Sequence, residues 1–425
     1  MKSLPGCEFA AFIGIDWADA KHDICLQVAN TEKREFAVLP HRPDAIDQWA
    51  CSLRQRFQSR PVAVCLELAK GPLIYALQKH EFLVLFPVNP ATLAKYRGAF
   101  TPSHAKDDPT DAEYQLELLV LHRDKLKALN PQSAPMRTLE SLVEQRRRLV
   151  DDSKRITNRL TSALKQYYPQ AVEWFEAKDT VLFCDFLSRW PTLKQVKHAR
   201  RATLQAFFRE HNARSAKLVE ERLTAIKSAT SLTEDIAVIT PHRLLVQALV
   251  DQLRVTLQAI ERFDAEISAI SRTLPDYPLF RNLPGAGAAL APRLLTAFGE
   301  QRERYDSAVE IQQYTGIAPV TERSGKQHSI HWRLQCPTFL RQTFVEWAAE
   351  TIPRSFWAGA YYRQQRAKGC SHPLPCAPWP SSGSASSTAA GRRGRPMTNR
   401  SISMRSSAVD RRCSIGTRRL QKILD

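Results

Sequence analysis

Along residues 12–28 an apolar run, Phe12, Ile13 and Ile15, stops at Asp16, passes a small-residue turn and resumes as the alternation Ile24, Leu26, Val28. That pattern predicts a strand hairpin with Asp16 at its mouth. A third strand is expected at Phe36–Leu39, a helix from Ala45 to Phe57, and a fully apolar strand from Val62 to Leu68. A helix over Leu73–His80, a strand over Leu83–Val88 and further helices complete the stretch to about residue 125. From about 131 to 275 the period becomes helical, with long charged segments at Met136–Lys165 and Pro241–Leu274. In the second of these, Leu244, Leu245, Ala248, Leu249, Leu253, Leu257, Ile260, Phe263, Ile267 and Ile270 recur near 3.6-residue spacing. The expectation is a long two-helix arm or coiled coil.

Acids at particular points of this pattern change the picture. Glu67 is the single acid in a strand of the buried type, where an unpaired charge is costly. Residues 105–112 read Ala-Lys-Asp-Asp-Pro-Thr-Asp-Ala and run into the amphipathic Leu116, Leu118, Leu119. Pro109 suits the first turn of a helix, and Asp108 and Asp111, three apart, face the same way. A lone Asp16 would be a turn or cap residue. Two strand acids with an i, i+3 acid pair are enough to hold two divalent metals on hard oxygen ligands, the equipment for cutting or joining phosphodiesters.

With Gly14-Ile15-Asp16, Glu67 ahead of Lys70-Gly71, and Lys106-Asp107-Asp108-x-x-Asp111-Ala112 in view, the sequence resembles the DEDD-type insertion-sequence transposases, which are related to the Piv-type DNA invertases. The resemblance covers roughly residues 9 to 369. It implies a ribonuclease-H-like, RuvC-like α/β domain over 9–125, a helical or coiled-coil arm over 126–275, and a smaller, mainly helical transposase domain over 276–369. Three antiparallel strands followed by alternating helices and strands is also the order of a ribonuclease-H-like fold. In it Asp16 and Glu67 lie side by side. Asp16, Glu67, Asp108 and Asp111 are the catalytic and metal-binding acids that the resemblance implies, with Mg²⁺ or Mn²⁺ as cofactor.

Two C-terminal motifs follow. Leu283-Pro284-Gly285-Ala286-Gly287 before a helix offers backbone N–H groups of Gly285 and Gly287 to a nucleic-acid phosphate, or simply joins two helices. Tyr314–Lys326, Ile330–Arg333 and Phe339–Phe344 resemble the family's C-terminal domain, in which a serine is the nucleophile. The role falls on Ser324, with Ser329 as the fallback. Without the family, Arg323-Ser324-Gly325-Lys326 is an ordinary turn. With it, Arg323, Lys326, Arg333 and Arg341 are expected to contact nucleic acid, the cations stabilising the crowded negative charge of an attack on a phosphodiester.

Over 425 residues the formal net charge is +18, which favours a polyanionic partner. No segment has the apolar length of a membrane span and no secretory leader is visible, so nucleic acid is the preferred partner. Arg146-Arg147-Arg148 and residues 197–201 are solvated helix faces or phosphate contacts. The nine cysteines lack metal-binding spacing, and a reducing cytoplasm is expected. The resemblance further implies donor and target DNA as substrates, a structured guide RNA from the element, a homo-oligomer (dimer or tetramer), and a covalent phosphoserine intermediate. The rival readings are a RuvC-like, structure-selective junction nuclease that needs no serine, and an inactive nucleic-acid-binding relic.

After Lys368-Gly369 the character changes. Residues 370–425 are rich in Ser, Arg, Pro and Gly, with Trp379 the only aromatic residue and Asp410 and Asp425 the only acids, so a disordered tail is expected. A reading-frame change near Gly369 is the expected cause, with a natural basic tail that grips RNA as the alternative. Reading the possible codons of residues 395–405 two bases later permits Asp-Asp-Glu-Ser-x-Tyr-Leu-Asn-Ala, which resembles the family's ending.

Overall fold

The computed structural model describes residues 9–67, 70–100, 108–211, 215–301, 305, 307–325, 327–331, 333 and 335–368, without the side chains of Asp108, Gln327 and His328. The chain divides into two compact units, Met1–Pro131 and Gln132–Asp425.

The first unit is a five-stranded mixed sheet with helices on both faces. Strands β1 (Ala11–Asp16), β2 (Lys21–Val28) and β3 (Arg34–Pro40) form an antiparallel meander, joined through helix α1 (Pro43–Arg56) to β4 (Val62–Leu66). Helix α2 (Pro72–Leu77) leads to β5 (Leu83–Pro87), then α3 (Pro90–Phe100) and α4 (Asp108–His122). The strand order is β3-β2-β1-β4-β5, with β4 parallel to both β1 and β5. This is the mixed α/β arrangement that the order of elements predicts, and it is consistent with a ribonuclease-H-like fold.

Strand alternation sends two sets of side chains to two cores. Ile13, Ile15, Ile24, Val64 and Leu66 pack with Ile46, Leu53, Leu73 and Ile74 of α1 and α2. On the other face Ala63, Cys65 and Phe86 meet Leu118 and Leu119 of α4, and Cys25 meets Ala112 and Leu116. Gly14 sets how closely α4 lies on the sheet. A Cβ there would stand 2.0 Å from the carbonyl oxygen of Ala112 and 2.6 Å from the nitrogen of Leu116. Only glycine permits that backbone-to-backbone contact.

In the second unit, α5 (Ala134–Leu164) runs antiparallel to α11 (Ile236–Ser271). At one end of the pair, Met136, Leu139 and Val143 share a core with Ile267, with α12 (Tyr277–Arg281), with α13 (Gly287–Phe298) and with α14 (Ala308–Thr315). At the other end, Leu160 and Leu164 meet Val246, Leu249 and Leu253. Five shorter helices complete that end: α6 (Pro169–Trp174), α7 (Val181–Arg189), α8 (Leu193–His198), α9 (Arg201–Glu210) and α10 (Ala216–Ser228). A hairpin of β6 (Val320–Ser324) and β7 (Gln327–His331) precedes α15 (Thr338–Thr351) and α16 (Phe356–Ala367).

Candidate active site

The acids of the first unit gather at one end of its sheet. The parallel register pairs Ile15 with Leu66, so Asp16, the last residue of β1, is followed across the ladder by Glu67, one residue past β4. Alternation places Asp16 on the face of Gly14, and Glu67 on the face of Cys65, which is the α4 face in both cases. Asp16 is 8% exposed. Burial, and then the charge of Glu67, push the Cys65 thiol up to about 12, so it is an inert core group.

The N-terminus of α4 brings the other two acids. Asp108 is its first residue, while Asp107 lies outside the described residues. Asp111 is buried, and both of its carboxylate oxygens accept hydrogen bonds from Nη1 of Arg97 in α3, at 2.7 and 2.6 Å. The close seat of α4 on Gly14 carries Asp111 to the strand that ends in Asp16.

Three residues of this neighbourhood escape the sequence reading. Asp23 is the antiparallel partner of Asp16 and is 7% exposed. Arg97 is the clamp on Asp111. Gln115, one turn along α4 from Asp111, is fully buried with neither Oε1 nor Nε2 hydrogen-bonded. The signal for Asp23 was its parity with Cys25 in a strand buried on both faces. Nothing in the sequence marked Arg97.

On the opposite face, His22 is fully buried. Its Nδ1 accepts from the Ala18 N–H at 3.4 Å, which leaves Nε2–H to donate to His41 Nδ1 at 2.9 Å. Burial, with the neighbouring His41, lowers its pKa to about 4 and keeps the ring neutral. The pair ties the β1–β2 turn to the end of β3.

The chemistry of the donors, carboxylates on one face of the sheet, suits a hard divalent cation. Among the described residues, no three His, Cys, Asp or Glu side chains converge as a metal cage. Mg²⁺ does not require one, since one or two carboxylates with water and substrate phosphate suffice.

In the second unit, the Pro284-Gly285 turn is anchored to α15. The Pro284 carbonyl accepts from Trp347 Nε1 at 2.9 Å and from Thr351 Oγ1 at 3.0 Å. Gly285, at φ 78°, has the left-handed backbone, and a Cβ on it would stand 2.7 Å from the Glu350 and Thr351 backbone. Its glycine therefore serves helix packing. Gly287, at the start of α13, faces open space. Ser324 is the exposed last residue of β6, beside the exposed Arg323 and the open Gly325, and Ser329 is exposed on β7. Lys326 lies outside the described residues. Arg341 donates to the Arg333 carbonyl at 3.0 Å, and the half-buried Arg333 keeps its Nε without a hydrogen-bond partner.

Residues 13–169 match the transposase family model of the DEDD, IS110 type, and residues 277–363 match the Transposase IS116/IS110/IS902 family. The chain belongs to the IS110 family of insertion-sequence transposases. It is similar to the Mini-circle putative transposase for IS117 of Streptomyces coelicolor, 28% identical over 370 residues that cover 85% of this chain and 89% of the relative. Putative transposase y4uE of Sinorhizobium fredii is 24% identical over 209 residues, 48% of this chain and 57% of that one. The Insertion element IS110 uncharacterized 43.6 kDa protein of S. coelicolor is 24% identical over 289 residues, 64% and 67% of the two chains. The two matched stretches of this IS110-family transposase contain all four acids and Ser324 respectively.

Proposed function

We propose that this transposase cuts and rejoins DNA strands, with Asp16, Glu67, Asp108 and Asp111 holding Mg²⁺ or Mn²⁺ and Ser324 as nucleophile. The observation that supports this reading is the placement of Asp16, Glu67 and the N-terminal turn of α4 at one end of the sheet. Residues 9–125 act as the catalytic domain, 126–275 as the helical or coiled-coil arm, 276–369 as the serine domain and 370–425 as an aberrant tail. A divalent cation at the acids orients and activates the scissile phosphate.

In the strand-transfer step, the Ser324 Oγ loses its proton and attacks phosphorus. The bond from phosphorus to the leaving strand's oxygen breaks, and that oxygen takes up a proton. The phosphoserine link conserves the bond energy, so a second strand's hydroxyl can displace the serine without ATP. Arg323 and Lys326 offset the negative charge at phosphorus. Gly285, Gly287, Arg333 and Arg341 contact the nucleic-acid backbone. The +18 charge supports polyanionic partners, donor and target DNA with a structured guide RNA, bound by a cytoplasmic homo-oligomer.

A nicked suicide substrate tests this. Wild-type protein is expected to remain attached to DNA after denaturation. Ser324→Ala removes the adduct and leaves DNA affinity nearly unchanged, whereas Asp16→Asn removes all cleavage. Cleavage without an adduct would mark a junction nuclease, and binding without cleavage would mark a relic.

A further inference from the structure

The edge strand β3 leaves two large apolar side chains open. Phe36 is 56% exposed and Val38 55%. The register sets Val38 in one row with Asp23 and Asp16, and Phe36 in the next row with Cys25 and Gly14. Directly opposed residues of an antiparallel pair point to the same face, here the α4 face, because Cys25 packs on Ala112 and Leu116. Leu39, of the other parity, is buried in the core on the opposite face. Helix α4 is tied to β3 at Arg34, two residues before Phe36, which donates to Glu113 and, at 2.9 Å, to Glu117. Among the described residues, no other ring and no guanidinium stacks on Phe36.

The charge beside this patch fits a nucleic-acid strand. Lys21 shares the parity of Asp23 and stands one row beyond Val38, opposite Pro40, exposed and, among the described residues, without an ion pair. Neighbouring strands lie roughly 4.8 Å apart, so Val38 is about 10 Å from Asp16 along the sheet. That is the reach of a few nucleotides from a scissile phosphate at the acids. A duplex keeps its base faces inside its own stack. Open side chains on a sheet gain contact from bases that have left the stack, and such stacking tolerates any sequence. A second copy of the chain fits less well. Two side chains are far less than a stable interface buries, and Pro40, which has no N–H, ends the edge that another strand would extend.

We propose that Phe36, Val38 and Lys21 form a platform for unpaired nucleotides of the DNA strand being cut. Phe36 stacks on a base, Val38 packs against its neighbour, and the Lys21 ammonium pairs with a backbone phosphate on the side of the acids. Holding the flanking nucleotides here restricts where the scissile phosphate can lie, so the platform serves both affinity and positioning. This inference rests on the reading of the acids as the site of DNA cleavage.

The test titrates full-length protein into fluorescein-labelled oligo(dT), oligo(U) and a mixed-sequence DNA duplex, followed by anisotropy. Phe36→Ala is expected to weaken oligo(dT) binding about tenfold, the order of one lost base stack, and to leave duplex affinity nearly unchanged. Phe36→Trp restores the affinity. Salt dependence separates the roles: the slope of log affinity against log salt is unchanged in Phe36→Ala and shallower by about 0.7 in Lys21→Ala, one phosphate contact on a single strand. Oligo(dT) affinity unchanged by Phe36→Ala overturns the proposal. So does an equal loss on the duplex, or a loss that Phe36→Trp does not repair, which would mark a structural role. A loss confined to oligo(U) overturns it in favour of RNA. A dimer, seen by sedimentation, that Phe36→Ala breaks while oligo(dT) binding holds overturns it in favour of a second copy. Cleavage of the nicked suicide substrate reports on the acids separately. If wild type cuts and Phe36→Ala binds oligo(dT) normally, the platform alone fails. If wild type never cuts yet shows the stacking loss, the platform stands as a DNA-binding surface and the cleavage reading fails.

Discussion

Arg97 and Asp111 form a largely buried ion pair, with the guanidinium bonded to both carboxylate oxygens. Breaking such a pair by removing one partner costs about 3 kcal/mol, because the remaining charge stays buried. Arg97→Ala should therefore lower the melting temperature in chelator, and Mg²⁺ should recover more stability in the variant than in wild type, since a cation can take the place of the guanidinium. An equal Mg²⁺ shift in both proteins would show that Asp111 meets no cation. His22 gives the residue scale its pH dependence. Its folded-state pKa near 4 lies below the ordinary 6.5, so the unfolded chain binds the proton more readily. The stability this contributes is complete above pH 6.5 and is lost as pH falls toward 4. Urea midpoints measured over that window should fall less steeply in His22→Asn than in wild type. Asp16, Glu67, Asp108 and Asp111 were legible because each stands where an apolar pattern begins or ends. Asp23, Arg97 and Gln115 were not, since what they meet depends on strand register and on where one helix lies against another.

Gly14 governs the element that carries half of the acids. Because a Cβ there would fall 2.0 Å from the Ala112 carbonyl oxygen, Gly14→Ala must push α4 off the sheet. The cost is expected to be about 1–3 kcal/mol, as for overpacking in other cores. DNA cleavage should fall further than stability, because Asp111 moves with the helix while Asp16 does not. An Ala variant with wild-type cleavage would mean that the spacing of α4 and β1 is irrelevant to the chemistry. The strands of this unit were legible from alternation and β-branched content, and their observed bounds differ from the expected ones by a few residues. Helix α11 begins at Ile236, with the Asp235 side chain accepting from Ala237 N–H at 2.8 Å, whereas the sequence reading began at Pro241. Proline marks a first turn well, but here a true cap lies six residues before it. The β6–β7 hairpin was read as a turn alone. Thr321, Glu322, Arg323 and Ser324 are all exposed, so β6 has almost no apolar face for alternation to reveal.

At the scale of the whole molecule, the matched family regions end at residue 363, and the apolar patterning ends soon after. Helix α16 stops at Ala367, and at its start Phe356 is 83% exposed and Trp357 46%. Large apolar side chains this exposed are what a further amphipathic helix would cover. The residues after Gly369 have a composition unsuited to that: abundant Ser, Arg, Gly and Pro, and only Trp379 for an aromatic residue. Read two bases later, codons compatible with residues 395–405 give Asp-Asp-Glu-Ser-x-Tyr-Leu-Asn-Ala, which has the acidic and aromatic character of a helical ending. The other shifted frame meets a stop across Met397-Thr398. A basic tail that grips RNA is the competing account, and the two differ in what truncation does. If the frame has shifted, deleting residues 370–425 should leave RNA affinity nearly unchanged, whereas restoring the frame should raise solubility and recombination together. Folded domains hold only about 5–15 kcal/mol in reserve, so uncovering one helix face is enough to make a protein marginal. Sequencing the gene decides the matter. A two-base-shifted frame without that helical ending, or a truncation that abolishes RNA binding, would make the tail a working part of this transposase.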